Sequence, residues 1–313
     1  MAWYGMVWHG MAWRNMQIKS VFWMLGWLCG LTLLGGCARH SSAGHKTGPR
    51  VVSTVPAATQ ILLQIGAAKT IVGVSPWDKP LLPQSMRNLP VVGNYLHLDE
   101  ELVLQLAPTA LLLQESPDRI PGGIVAMARN NGIHIVNVHL TTFHQLYRTT
   151  MVLGKISGFE KRAGIKIQAL KAQLERLAAG RPQKPPRVVY IIAVNPVRVV
   201  GADNFMDEEV TLAGGVNVAQ RCGEGFPVIT RETLVQLDPQ VLLIAAPGQP
   251  AVTGPGDPRV ASWFTLPIAA AYSRHIDLIT WRRAQMLTLQ VGSIIKRLRK
   301  IIEYSGFDRS VLK

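Results

Sequence analysis

The feature that most constrains this chain is a phrase it states twice. "ELVLQLAPTALLL", Glu101–Leu113, returns as "ETLVQLDPQVLLI" at Glu232–Ile244. The copies agree at Glu, Gln, Leu and Pro, and nearly every other position keeps its apolar character. In each, a glutamate-led segment with helical spacing meets a proline and then a short run of Leu, Val or Ile suited to a buried strand. A helix-then-strand unit given twice predicts two similar lobes.

The flanking sequence fits that reading. From Arg50 onward, "RVVST" predicts a buried strand, "PAATQILLQIG" a helix closed by Gly66, and "TIVGVS" another strand. "LPVVG" follows, then the helix "DEELVLQLA", the strand "TALLLQ", the helix "IVAMARNNG" and the strand "IHIVNV". A second series starts at Arg187 with "RVVYIIAV", includes the strand "QVLLIAA", and ends in the helix "MLTLQVGSIIKRLRKIIEYS". Strands alternating with helices imply a parallel sheet covered on both faces. Between the series lies "FEKRAGIKIQALKAQLERLAAG", Phe159–Gly180, all helix formers with a glycine stop followed by "RPQKPP". A helix of about 20 residues spans about 30 Å, the width of a small domain, and its midway place suits a strut between lobes. The expected fold is α/β: two similar lobes with mainly parallel sheets flanked by helices, joined by one long α-helix.

Before the lobes, Lys19 and the apolar run Val21–Leu34 end in Leu34-Gly35-Gly36-Cys37. This is a secretory signal, too short and wrongly flanked for a stable spanning helix. Its exit resembles a bacterial lipobox, in which the cysteine is acylated and becomes the mature N-terminus; Gly35 is a less usual residue at its place. "ARHSSAGHKTGPR" then has the composition of a flexible tether, and either Met1 or Met16 can serve as the start. With Cys29 lost in the leader and Cys37 acylated, Cys222 is the only thiol left and no internal disulfide can form. An exported protein without disulfides needs a large core, which this length and 48% hydrophobic content provide.

The formal charge is +14, and setting aside Arg14 and Lys19 of the leader leaves about +12. For an exported protein, an anionic membrane surface or an acidic ligand accounts for such a balance better than nucleic acid does. Much of it, "KRLRK" at Lys296–Lys300 included, reads as the solvated face of helices.

No catalytic signature is present: no G-x-S-x-G elbow, H-E-x-x-H, P-loop, or G-x-G-x-x-G after a strand. His134 and His139 sit in or beside a strand and His144 on a helix, positions that suit surface or core histidines, and no Cys/His cluster has metal-site spacing.

The lipobox, "RVVSTVPAATQILLQIGAAKTIVGVS", the repeated phrase, the mid-chain helix and "LAGGVNVA" together resemble a substrate-binding protein of an ABC importer. The family is the one that includes vitamin B12-, siderophore- and haem-binding proteins, and the resemblance covers about residues 50 to 305. It implies a signal peptide over 1–36, a tether over 37–49, an N-terminal lobe over 50–157, a connecting helix over 158–181 and a C-terminal lobe over 182–313. It implies a ligand held between the lobes, only small opening motions, and no chemistry or cofactor of the protein's own. The ligand would be a metal chelate: a corrinoid, a ferric siderophore or haem. The partners would be a permease dimer with its ATPase subunits, and Cys37 would hold the protein to the membrane on the extracytoplasmic side.

Ligands of open α/β sheets sit beyond the carboxyl ends of the strands. That selects Trp77, Tyr95 and Gln114 in the first lobe, and Arg198, Phe226 and Trp281 with Arg282 or Arg283 in the second. The resemblance places Trp77, Tyr95 and Phe226 near the aromatic contacts of the B12-binding members. Aromatics against a large flat ligand, with Arg for its carboxylates or phosphates, is sensible chemistry. In the family, glutamates at the places of Glu101 and Glu232 pair with arginines on the two permease subunits, one per lobe. The rival expectation is an extracytoplasmic enzyme or enzyme subunit on the same scaffold, for which His97 is the one polar candidate in the cleft.

Overall fold

The computed structural model describes residues 48–303, apart from 95, 96, 252 and 253. The signal, Cys37 and Tyr95 therefore lie outside the described residues. The described residues belong to a single compact unit, built on two sheets.

The first sheet takes β1 (Val51–Ser53), β2 (Ile71–Val74), β3 (Ala110–Leu113) and β4 (His134–Asn137), in the order β2-β1-β3-β4 and parallel throughout. Its helices are α1 (Pro56–Gln64), α2 (Glu100–Leu106), α3 (Gly122–Asn130) and α4 (Phe143–Ser157). The long α5 (Glu160–Ala179) follows, 20 residues as its helix formers and glycine stop predict. The second sheet takes β5 (Arg187–Val194), β6 (Val197–Val199), β7 (Val216–Asn217), β8 (Val241–Ala245) and β9 (Ile276–Ile279). Here β5 pairs in parallel with β7 and β8, β8 pairs in parallel with β9, and β6 alone runs antiparallel, folded back on β5. Around it lie α6 (Phe205–Leu212), α7 (Arg231–Leu237), α8 (Pro258–Ala261), α9 (Ala269–Tyr272) and α10 (Val291–Glu303). The fold is α/β, with two lobes of mainly parallel sheet flanked by helices.

Strand side chains alternate between faces, and the core follows that period. Val51 and Leu112 join α5 residues Leu170 and Leu174 and second-sheet residues Tyr190 and Leu243 in one continuous cluster. Val52, Leu111 and Leu113 pack behind the first sheet, while Val189, Ile191, Leu242 and Ile244 pack behind the second. The lobes thus share a core through α5 instead of merely touching.

The repeat is structural, and it runs further than the repeated phrase. Both α2 and α7 have seven residues, start at a side-chain cap (Asp99 accepting from Leu102 N, Thr230 accepting from Thr233 N), and end at a left-handed residue, Ala107 or Asp238. An arginine at the start of each lobe's first strand closes that end. Arg50 Nε donates to the carbonyls of Leu106 and Ala107 at 3.0 and 3.1 Å. Arg187 Nε donates to the Asp238 carbonyl at 3.0 Å. The same arginines donate their backbone N–H to Thr109 Oγ1 and Gln240 Oε1, each at 3.0 Å. The sequence signal for this is the shared "RVV" at Arg50 and Arg187.

The segment "LPVVG" adds bridges from Val91 to Val74 and from Gly93 to Leu98. One expected element differs. The last helix starts at Val291, not at Met286, because Leu289 N donates to Gln64 Oε1 of α1 at 3.0 Å and holds the preceding segment out of the helix.

Candidate functional site

A cavity of about 920 Å³ opens between the lobes, within the range of small-molecule sites. The first lobe contributes the start of α1 (Pro56, Ala57), Trp77, Leu81, Gln114 at the end of β3, and Leu140–Thr141 ahead of α4. The second contributes Ile192, Asp203 through Met206 at the start of α6, Glu224 through Phe226, and Gln285 through Leu287. The floor is apolar, and an aromatic ring stands on each side.

Trp77 sits at the tip of a turn closed by a buried aspartate. Asp78 N donates to Ser75 O at 3.1 Å, while its Oδ2 accepts from Ser75 N at 2.9 Å and Ser75 Oγ at 2.6 Å. Burial raises the Asp78 pKa above its ordinary value, opposed by hydrogen bonds from Ser75 and Thr59. The turn therefore holds an indole that is 49% exposed on a firmly bonded base, a preorganised surface for a flat ligand.

The opposite wall is two loops stitched together. Ala202 N donates to Gly223 O and Gly225 N to Ala202 O, both at 2.8 Å, and Gly201 N donates to Gly225 O at 2.9 Å. Asn204 caps α6 with its Oδ1 and reaches the carbonyls of Gly201 and Gly225 with its Nδ2. The approach is so close that a Cβ at Gly201 would collide with the Gly223 carbonyl. This stitch presents Phe226, Glu224 and Asp203 to the cavity.

Of the residues expected from sequence, Trp77, Gln114 and Phe226 line the cavity; Tyr95 is outside the described residues. Arg198, Trp281, Arg282 and Arg283 are not among its lining. Arg198 Nη1 donates to Phe226 O at 3.3 Å. Trp281 is covered by Arg297 of α10, whose guanidinium carbon is 3.7 Å from the ring centroid, and the Arg282 guanidinium lies over Gly248. Arg283 crosses between lobes to donate to Leu81 O at 3.2 Å. Sequence reasoning missed Asp203, Asn204 and Glu224, since the two stitched loops meet only through contacts across some twenty positions. It also missed Met206 and Gln285–Leu287, of which Met286 and Leu287 fall in the expected last helix. The glycines of "GEGF" after Cys222 were the available signal.

His97 is exposed and absent from the lining, and His134, His139 and His144 are exposed as well. Among the described residues no group of three or more His, Cys, Asp or Glu could hold a metal ion, and no helix is long and apolar enough to cross a membrane. Glu101 and Glu232 are exposed in the first turns of α2 and α7.

This arrangement is that of a two-lobed binding protein. Residues 51–262 match the family described as periplasmic binding protein, and the chain belongs to that family. It is 25% identical over 204 residues to an uncharacterized ABC transporter substrate-binding lipoprotein, YvrC, of Bacillus subtilis, covering 63% of this chain and 64% of that one. It is 24% identical over 200 residues to a cobalamin-binding protein of Halobacterium salinarum, covering 62% of this chain and 53% of that one. The chain thus spans less than two thirds of either relative's length. In fold it is similar to the periplasmic heme-binding protein HutB of Vibrio cholerae, with a TM-score of 0.69 and 23% identity over 82% of this chain and 99% of that one.

Proposed function

We propose that this protein is the extracytoplasmic substrate-binding component of an ABC importer. It captures a metal chelate between its lobes and delivers it to a permease dimer driven by ATPase subunits. The observation that carries this reading is the interlobe cavity of about 920 Å³ with Trp77 on one wall and Phe226 on the other. Its volume and its two aromatic rings suit a corrinoid, a ferric siderophore or haem, and the family membership supports capture over catalysis. The shared core through α5 suits a receptor that opens little. Acylation of Cys37 anchors the protein to the membrane. Purifying it from native cells and recording its visible spectrum tests the ligand, since the three chelates absorb differently; a preparation that carries and takes up none of them overturns the reading. Cys37→Ser is expected to release the protein from the membrane fraction; retention there would show that the leader is itself the anchor.

A further inference from the structure

The chain carries 33 Lys and Arg against 19 Asp and Glu, yet the charged side chains lining the cavity are both acids, Asp203 and Glu224. They are neighbours on one wall, because Ala202 and Glu224 are bridge partners in the stitched loops. Both are exposed, and neither takes part in the ion pairs formed among the described residues. The arginines best placed by sequence to receive a ligand's carboxylates are turned to other work. Arg198 and Arg283 donate to backbone carbonyls, and Arg282 lies over Gly248. The acidic wall is therefore a local feature, set against the charge of the molecule.

One opposing influence is the start of α1, where Val55 supplies no side-chain cap and Pro56 and Ala57 face the cavity. A helix N-terminus carries about half a positive charge, effective only within its first turn. Two whole carboxylates outweigh it, and they stand on the other lobe. The start of α6 brings a like partial charge to the second lobe, where the Asn204 side chain already accepts from Met206 N and Asp207 N, so the two carboxylates set the sign of that wall.

Resting on the reading of the cleft as a ligand site, we infer that Asp203 and Glu224 are its specificity determinants. They select ligands whose rim is neutral, amide-bearing or cationic and reject ligands that carry carboxylates there. Two formal negative charges in a partly closed cavity repel a carboxylate more strongly than they would in open water, and like charges across an interface act chiefly by suppressing wrong partners. Amide N–H groups or cationic substituents on a flat ligand would instead donate to Asp203 and Glu224 while its face lies against Phe226.

The test uses the purified full-length protein in detergent and two porphyrins of the same ring, one with cationic and one with carboxylate substituents. Titration at about 0.15 M salt, where the Debye length is about 8 Å, screens the distant basic surface more than carboxylates in contact with the ligand. The cationic porphyrin is expected to bind at least about tenfold more tightly. Asp203→Asn with Glu224→Gln should bring the two within about threefold, while Asp203→Glu with Glu224→Asp, which keeps the charge, should keep the preference. Both residues are exposed, so these variants are expected to fold, as circular dichroism would show. An anionic porphyrin bound as tightly as the cationic one, or a preference unmoved in the neutral variant, overturns the selectivity and leaves the binding-protein reading standing. If neither porphyrin binds, cobalamin, with its amide rim, and haem, with its carboxylates, take their place: haem bound as tightly as cobalamin or more so overturns the selectivity, and failure of both ends the binding-protein reading with it.

Discussion

The two lobes are the same scaffold and two different walls. Strand for strand, β2-β1-β3-β4 corresponds to β7-β5-β8-β9, and α2 and α7 share length, cap position and left-handed ending. What differs is what the scaffold holds out. The first lobe presents an indole on a hydrogen-bonded turn, whereas the second presents a phenyl ring and two carboxylates on stitched loops. Such a division lets the frame stay fixed for stability while loops diverge for recognition, as sites grafted on a common fold generally do.

The sharpest test of that division removes both rings. Trp77→Ala with Phe226→Ala is expected to weaken chelate binding by about 2–4 kcal/mol, the range for buried aromatic anchors at binding hot spots, with little change in melting temperature. Calorimetry on each single variant then apportions the loss between lobes. An unchanged affinity in the double variant would remove both rings from the site.

How much of this was legible in the sequence divides along the same line. The scaffold was legible because buried strands and amphipathic helices carry a period: "RVVYIIAV" is β5 to the residue, and Phe159–Gly180 is α5 with its two boundary residues. The walls were only half legible. Trp77 and Phe226 stand out as aromatics beyond strand ends, but so does Trp281, which Arg297 covers from a helix sixteen positions later. Asp203 and Glu224 carry no period at all, and only the fold brings their loops together. Composition could not show this wall, because a basic excess over the whole chain says nothing of the two acids that line the cavity.

Both lobes bury acids, and Asp78 and Glu209 are treated differently. Asp78 is buried with hydrogen bonds to Ser75. Glu209 on α6 is wholly buried, and among the described residues neither of its oxygens, nor the hydroxyl of buried Tyr190, has a hydrogen-bond partner. Burial, aided by the nearby Glu208, raises the Glu209 pKa well above its ordinary value of 4.5. The native state therefore holds this proton to higher pH than the unfolded chain does, so stability falls as pH rises from about 4.5 through the folded pKa. Glu209→Met, similar in size and suited to a helix, is expected to stabilise the protein by about 1–3 kcal/mol and to flatten that decline. Chemical denaturation at several pH values checks both; a variant of equal or lower stability at alkaline pH would show that the carboxyl has a partner.

A finer comparison lies at the left-handed residues that end the repeated helices. Ala107 has φ 43° and Asp238 φ 39°, a region in which a non-glycine residue costs about 1–2 kcal/mol. Ala107 has no side-chain partner to lose, so Ala107→Gly is expected to stabilise by about 0.5–1 kcal/mol after the added entropy of the unfolded chain. Asp238 holds Arg187 at 2.7 Å and accepts from Ala269 N at 2.7 Å, tying α9 to the repeat. Asp238→Gly should therefore destabilise, by about 1–2 kcal/mol, half-exposed as that ion pair is. Opposite signs at one backbone geometry would confirm that the second copy has taken on a contact the first lacks; equal signs would reduce both to backbone strain.

The smallest expected change in the purified protein concerns the two glutamates that open the repeat. Asp99 and Thr230 are the caps, so Glu101 and Glu232 hold the same place, second in the first turn of α2 and α7. A carboxylate there gains about 0.3–1 kcal/mol from the helix dipole, which is reason enough for either one alone. Their pairing, one per lobe on equivalent exposed helices, is what suits a symmetric partner such as a permease dimer. Charges at such rims set orientation and encounter rate more than affinity. Reversing both with Glu101→Arg and Glu232→Arg should cost no more than about 1 kcal/mol of stability per site and leave chelate affinity unchanged, since neither residue lines the cavity. Uptake in cells carrying only the variant should nevertheless be lost. Either single reversal should impair it less, because one lobe would still dock. Normal uptake by the double variant would return both glutamates to the helix dipole alone, and a fall in chelate affinity would place them in the ligand site instead of at the permease.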